Sequence, residues 1–345
     1  MSNPAVVVVG GGLAGTVLGR TLQNRGWDLE LFHHPQPGAA TPVAAGLWNP
    51  INFFRLIPGW RVEESLASML EFFEAEEQAF GQTFLHPMPY GQPLFNADHL
   101  FQWEGAVQRF PRWLDLQRDS LPGLENLERL WGGIKAWGLV REAGWLDVAA
   151  YIHACHRLWE SQGRLNPTLW KPNSTDHGIP WVDARGVFAR SEHDVLTRLK
   201  PTQGELVEFT LPNGPASIMI KRDLFLQPLG QDRYRAGATF EWQNCSPLPT
   251  REGQAQLRAG LVQLLGQDLS GACDFEYKAG IRPSSHDRRP YVGRHHYEDK
   301  RWVFNGFGAK GVLLAPLMAK ELASTMEGQD QVHAEAKVGR LKPIP

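Results

Sequence analysis

The sequence predicts an α/β protein: a Rossmann-type domain interrupted by a second, α+β domain carrying an antiparallel sheet. Three observations carry that prediction. VVVVGGGLAG at 6–15 joins a buried-strand pattern to a glycine turn and a helix. Residues 205–243 alternate between apolar and polar positions and are cut by turn residues such as Asn213-Gly214. Residues 301–325 then return to strand, glycine loop and helix, so a second βα unit closes the chain.

Taken in order, Ala5–Val9 is a continuous apolar, β-branched run, as a parallel strand covered on both faces requires. Leu13, Val17, Leu18 and Leu22 form a helical stripe over 13–25, and Gly26 stands where a C′ glycine ends a helix. Leu29–Phe32 is the second strand, followed by a small-residue loop, GAATPVAAGLWNP, at 38–50. Val62–Phe80 is amphipathic, with Leu66, Met69, Leu70 and Phe73 on one face. Residues 81–135 are dense in Pro, Trp and Phe, and only a helix over 100–110, stopped by Pro111, is legible there. GWLDVAAYIHACHRLWE at 144–160 reads as a helix with Asp147 as its N-cap. Trp181–Ala184 is a short strand. The alternating region predicts an antiparallel meander with strands at 206–211, 217–220, 224–229 and 234–239, then a helix over 250–265. The closing unit is strand 301–304, loop 305–311 and helix 312–325. On this pattern residues 1–60, 140–203 and 276–330 form the first domain and 61–139 and 204–275 the second. Residues 331–345 are expected as a loose polar tail.

Composition narrows the function. With 345 residues and a formal net charge of −2, the chain can bury a large core and has no global attraction for nucleic acid or an anionic membrane. The three cysteines, Cys155, Cys245 and Cys273, are far apart and form no CxxC, so neither a metal knuckle nor a disulfide framework is expected. No basic leader and no long apolar span appear, and a cytoplasmic protein is the expectation. Nothing in the sequence speaks to oligomeric state.

Gly10-x-Gly12-x-x-Gly15 lies between a strand and a helix, the context that makes this pattern a dinucleotide fingerprint. Gly10 permits the tight turn, Gly12 admits a pyrophosphate close to the backbone, and Gly15 lets helix and strand pack. The amides that follow, at Leu13 and Ala14, open the helix and offer its positive end to phosphate. The acid that usually binds a ribose at the end of the next strand is missing. His33 takes its place, with His34 beside it. Three readings remain open at this point: a 2′-phosphate reader, a degenerate site, or a neutral hydrogen bond to ribose.

The distant segments narrow the choice. GGGLAG at 10–15, VAAGLWNP at 43–50, GWLDV at 144–148, VDARG at 182–186, GATFEW at 237–242, GIRP with DRRPYVG at 280–293, and GFGAKG at 306–311 stand in one order along the chain. Together they resemble the D-amino-acid oxidase-like (DAO) family of FAD-dependent oxidoreductases, which includes glycine and sarcosine oxidases. The resemblance implies FAD as cofactor and His33 as a substitute ribose partner. It implies oxidation of a C–N bond in a small amine or amino acid, with hydride passing to flavin N5, the imine then hydrolysed, and oxygen or another acceptor taking the electrons. It places Ala44, Ala45, Gly46, Leu47 and Gly186 against the cofactor, and Gly306, Gly308, Ala309, Lys310, Gly311 and Val312 in the return loop at the isoalloxazine edge. Relatives with histidyl-linked flavin carry the linking histidine just before the AAG triplet. Val43 stands there, which implies non-covalent FAD.

Arg282 occupies the position where amino-acid oxidases of this family bind the substrate carboxylate, a task suited to a planar guanidinium. The alternative is a structural arginine paired with Asp287 or Glu276. Lys310 either adds positive charge near the flavin or is solvated. Tyr234, on the meander, and Tyr291 are the candidate active-site tyrosines. The basic run Arg288, Arg289, Arg294, His295 and His296 reads as a solvated loop more readily than as a docking patch. Asp183 follows Asp147 by little chain, so a β-hairpin layer that many relatives build there is expected to be reduced. GFGAKGVLLAP also resembles the return loop of the FAD-dependent oxidase that trims a carboxymethylamino group on a tRNA wobble uridine. That enzyme is the alternative to a small-amine oxidase. A non-catalytic FAD-binding protein is the third reading.

Overall fold

The computed structural model describes residues 3–170, 178–191, 194–215, 217–266 and 271–341. The first strand, Ala5–Val9, lies between Asp28–Phe32 and Trp181–Asp183, parallel to both. Leu165–Asn166 extends the sheet on one side and Arg301–Asn305 on the other, also parallel. Tyr291–Arg294 closes that edge antiparallel. This is the doubly wound sheet that the sequence predicts, and its long-range closure uses the strand at 301–305.

The helices are α1 (Leu13–Asn24), α2 (Val62–Phe80), α3 (Ala97–Arg109), α4 (Glu125–Trp131), α5 (Val148–Ser161), α6 (Arg251–Leu265) and α7 (Gly311–Met326). Their ends follow the capping signals. The Asp147 carboxylate accepts from Ala150 N (2.9 Å), and the Thr250 hydroxyl accepts from Gly253 N (3.0 Å). Gly26 has φ +87 after α1, and Gly81 has φ +62 after α2. Helix α7 packs against both α1 and α2, and together they form the main core with the first sheet. A buried ion pair pins this bundle. Arg20 donates to both oxygens of Glu76 (2.7 and 3.0 Å), and the Tyr151 hydroxyl donates to the same carboxylate (3.3 Å).

The second sheet has eight strands, in the order Cys273–Ser284, Lys200–Thr210, Arg233–Gly237, Phe225–Gly230, Met219–Lys221, Tyr90–Leu94, Ala136–Val140 and Leu114–Gln117. The expected meander is therefore only partly realised. Its first strand, 200–210, skips over the next two and pairs with the fourth, at 233–237. The long strand 273–284, which carries GIRP, then adds to the outer edge of 200–210. Strands of this sheet thus reach into two of the three stretches assigned to the first domain, 140–203 and 276–330. Among the described residues between Asp147 and Asp183 there is α5 and the short strand 165–166, with no antiparallel hairpin.

The expected loose tail is ordered through 341. Val332, Ala336, Val338 and Leu341 are buried, and the Arg340 guanidinium donates to the Asp287 carboxylate (3.0 Å). Apolar residues spaced through a polar stretch give it enough to bury. Among the described residues no helix is long and apolar enough to cross a membrane.

Candidate functional site

A cleft of about 630 Å³ runs between the two sheets, a size typical of small-molecule and cofactor sites. Its floor is the glycine turn. Gly10 adopts φ +112 and donates to Phe32 O (2.8 Å). A Cβ there would lie 2.5 Å from Ala184 O, and one on Gly15 would lie 1.8 Å from Gly10 O. No side chain fits at either position. Gly10, Gly12, Leu13 and Ala14 line the cleft, whereas Gly15 lies beneath it and serves packing alone. Thr41, from the small-residue loop, accepts from Leu13 N at the start of α1 (3.1 Å).

His33 follows the last residue of the second strand, in the place the register predicts for the ribose ligand, and lines the cleft with His34. Burial first, and His34 second, lowers the His33 imidazole from its usual pKa, so it is neutral at pH 7. The small-residue loop forms one wall through Ala44, Ala45, Gly46 and Leu47. Gly46 is fixed by φ +72 and by Leu146 O, which would lie 2.0 Å from a Cβ. The buried Gln227 amide donates to Ala45 O (3.2 Å) and ties that wall to the roof. Val43 lines the wall and offers no nucleophile, and none of the three cysteines lines the cleft.

At the far end the second sheet roofs the cleft with Leu206, Phe225 and Ala238, and Arg282 projects under it from the strand 273–284. The two acids that could have held Arg282 are occupied elsewhere. Asp287 binds Arg340 (3.0 Å), and Glu276 binds Lys278 (3.2 Å). The Arg282 guanidinium has no hydrogen bond or ion pair with the described residues, and desolvation lowers its pKa. It lies flat on Gly204, where a Cβ would sit 1.9 Å from Nη2. A half-buried cation without an acid among the described residues, in a cleft, is an anion site by its chemistry.

The return loop contributes Gly308, Ala309, Gly311 and Val312, and Gly186, whose carbonyl accepts from Asn305 Nδ2 (3.0 Å), lines the cleft beside it. Other expected residues lie outside. Gly306 shapes the turn at φ +81 against Tyr291, and Lys310 is exposed on the rim beside Gly59. Tyr234 does not face the cleft. It pairs with Phe209 across the strands and stacks on it (6.0 Å between centroids) in the second core, on the opposite face of the sheet from the roof. Burial raises its hydroxyl pKa to about 12. Tyr291 is likewise buried, its hydroxyl reaching Arg198 O (3.5 Å). The basic run disperses into local pairs, Arg289 with Glu335 (3.3 Å) and Arg294 with Asp299 (3.3 Å). Three acidic and imidazole groups, Asp194, His295 and Glu298, converge, but the Arg301 guanidinium already donates to both carboxylates.

Sequence reasoning missed Thr41, Phe225, Ala238 and the pair His153 and His156, all of which line the cleft. The histidines carried a signal: spaced three apart on a predicted helix, they share a face. The others carried none.

A glycine turn cradling the start of a helix, joined by a sheet-roofed chamber with an arginine unpaired among the described residues, is the arrangement of a nucleotide-cofactor site. The glycines leave room where a pyrophosphate must approach, and the donor set suits FAD. The model of the FAD dependent oxidoreductase family (DAO) matches residues 5–165 and 168–325, and the chain belongs to that family. Over 170 residues it is 33% identical to glycine oxidase of Pseudomonas aeruginosa, covering 49% of this chain and 41% of that protein. It is 24% identical to the tRNA 5-methylaminomethyl-2-thiouridine biosynthesis bifunctional protein MnmC of Marinobacter nauticus, covering 92% of this chain and 54% of that protein. The chain thus spans about half the length, or less, of these curated relatives. Among solved structures, iminodiacetate oxidase from Chelativorans superposes with TM-score 0.77 at 21% identity over 98% of both chains. Glycine oxidase from Bacillus cereus gives TM-score 0.74 at 20% identity, over 94% of this chain and 95% of that one.

Proposed function

We propose that this chain oxidises the C–N bond of a small amine carrying a carboxylate, with FAD held non-covalently in the cleft. The observation that carries the reading is Arg282: a guanidinium facing the cleft with no acid of its own among the described residues. Its planar fork orients a carboxylate through two parallel hydrogen bonds. Bound FAD supplies the two-electron chemistry that turns the amine into an imine. The chain's own work is positioning. Leu206, Phe225 and Ala238 roof the chamber and keep it apolar. An amine that arrives neutral needs no side-chain base, and the roof offers none. Glu205, which also lines the cleft, accepts at Oε1 from Gln203 Nε2 (2.9 Å) and from the Thr250 hydroxyl (2.7 Å) and amide (3.0 Å), while its buried Oε2 has no partner among the described residues. Water then splits the imine to a carbonyl acid and the free amine or ammonia, and the electrons leave to oxygen, as peroxide, or to another acceptor.

A second reading is supported by the match to the bifunctional tRNA-modifying relatives, which covers 92% of the chain. An amine borne on tRNA would use the same arginine. The local pairing of Arg289 and Arg294 leaves less free positive surface for that substrate. The test is to load the purified protein with FAD and add glycine, sarcosine, iminodiacetate, proline and tRNA separately under anaerobic conditions. Bleaching of the flavin by one of the small amines supports the first reading. Bleaching by tRNA alone, with binding that falls steeply as salt rises, supports the second. A chain that binds no FAD overturns both.

A further inference from the structure

The acid that such folds place at the end of the second strand is replaced here by more than one histidine. His33 comes from that strand end, and His156 comes from α5, which crosses in front of it. Their rings stand 4.9 Å apart between centroids at 56°. Gly11 lies between them: a Cβ there would be 2.7 Å from His33 Cγ and 2.9 Å from His156 Nε2. Both residues line the cleft immediately beside the turn that would receive the pyrophosphate. No side chain hydrogen-bonds either imidazole among the described residues, and only the Gly11 backbone bears on His156. The His33 side chain makes no hydrogen bond with the described residues, and His156 Nε2 is buried without one. Burial, with His33 second, pushes the His156 imidazole down to about 4, so this ring too is neutral at pH 7.

A buried polar atom without a partner is costly, and such atoms in a binding cleft commonly acquire one from the ligand. A carboxylate in this position only accepts. A neutral imidazole carries one donor and one acceptor nitrogen, so two of them match a vicinal diol, whose hydroxyls also donate and accept. From this we infer that His156 works with His33 as a neutral two-imidazole clamp on the adenosine ribose of the flavin cofactor. The clamp places no negative charge beside the pyrophosphate, and Gly11 is required because any side chain would wedge the rings apart. This inference rests on the flavin reading above.

The experiment titrates FAD into apo-protein, following the quenching of flavin fluorescence, for the wild type, His156→Ala, His156→Phe and His33→Ala. The melting temperature of each apo-protein serves as a folding control. The clamp predicts that His156→Phe, which keeps a ring of similar size, weakens FAD about tenfold, the scale of one lost hydrogen bond. His33→Ala weakens it similarly, with apo melting close to wild type in both. In a cycle that includes the double variant the two losses are coupled rather than additive. His156→Phe binding FAD as tightly as the wild type would assign His156 to packing and overturn the inference. So would additive losses. If the wild type itself binds no FAD, the flavin reading fails first.

Discussion

Gly204→Ala is the sharpest perturbation of the anion site, because it touches Arg282 without altering its charge. Gly204 lies inside a strand with ordinary backbone angles, so alanine is not refused by conformation. The conflict is with the guanidinium. The new methyl carbon would lie 1.9 Å from Nη2, 2.3 Å from Cζ and 2.5 Å from Nη1 of Arg282. Ordinary contact needs well over 3 Å, so the planar group must lift by more than an ångström toward the cleft or swing aside. Either movement breaks a two-point grip on a carboxylate. Charge-assisted hydrogen bonds of this kind contribute about 1.5–3 kcal/mol, which corresponds to a rise of about ten- to a hundredfold in KM for a carboxylated amine. The flavin spectrum and FAD affinity are expected to stay near wild type, since Gly204 lies at the Arg282 end of the cleft, away from the glycine turn. The assay is steady-state oxidation with the best substrate found by anaerobic bleaching. An unchanged KM with an intact flavin spectrum would refute the placement of the carboxylate on Arg282.

Other consequences are independent of that site. Glu76→Ala leaves Arg20 buried without its acid and is expected to cost about 3–5 kcal/mol in chemical denaturation. A loss under 1 kcal/mol would show that the pair is solvated. Deleting 331–345 removes the buried Val332, Ala336, Val338 and Leu341 and lowers the melting temperature, at about 1.5–3 kcal/mol per buried Val or Leu; an unaltered melting curve would return this segment to a loose tail. The apo-protein is expected to lose stability as pH falls from about 6.5 toward the His156 value of about 4. In that window the unfolded chain binds a proton on His156 that the folded chain, where burial and the neighbours His33 and His153 disfavour charge, does not. His156→Phe should flatten that part of the pH profile, and an unchanged profile would show that other groups set it.

The sequence made the local elements legible and left the long-range pairings obscure. The strand–turn–helix at 5–24 could be read because glycine is the only residue that fits at Gly10 and Gly15, and α2 because its apolar stripe is regular. The cap at Asp147 marked one further helix. Strand order was hidden: alternation identifies a strand but not its neighbour, so the pairing of 200–210 with 233–237 could not be read. For the same reason Tyr234 was expected over the flavin. A strand has two faces, and alternation does not say which one roofs the cleft. The buried tail was masked by its polar residues. In the site, Arg282 and His33 were found through position within motifs, and His156 was signalled only by its spacing from His153, whereas Thr41 and Phe225 reach the cleft through tertiary folding.

The central claim is that Arg282 anchors the carboxylate of an amine oxidised in the cleft. The direct measurement compares wild type and Arg282→Met, both loaded with FAD, in anaerobic flavin reduction by the best carboxylated amine and by the same amine lacking its carboxylate. The account predicts that the substitution weakens apparent binding of the carboxylated amine by at least about tenfold, the loss of one charge-assisted contact, and leaves the uncharged analogue's reduction nearly unchanged. Equal effects on both amines, or none on either, would contradict it.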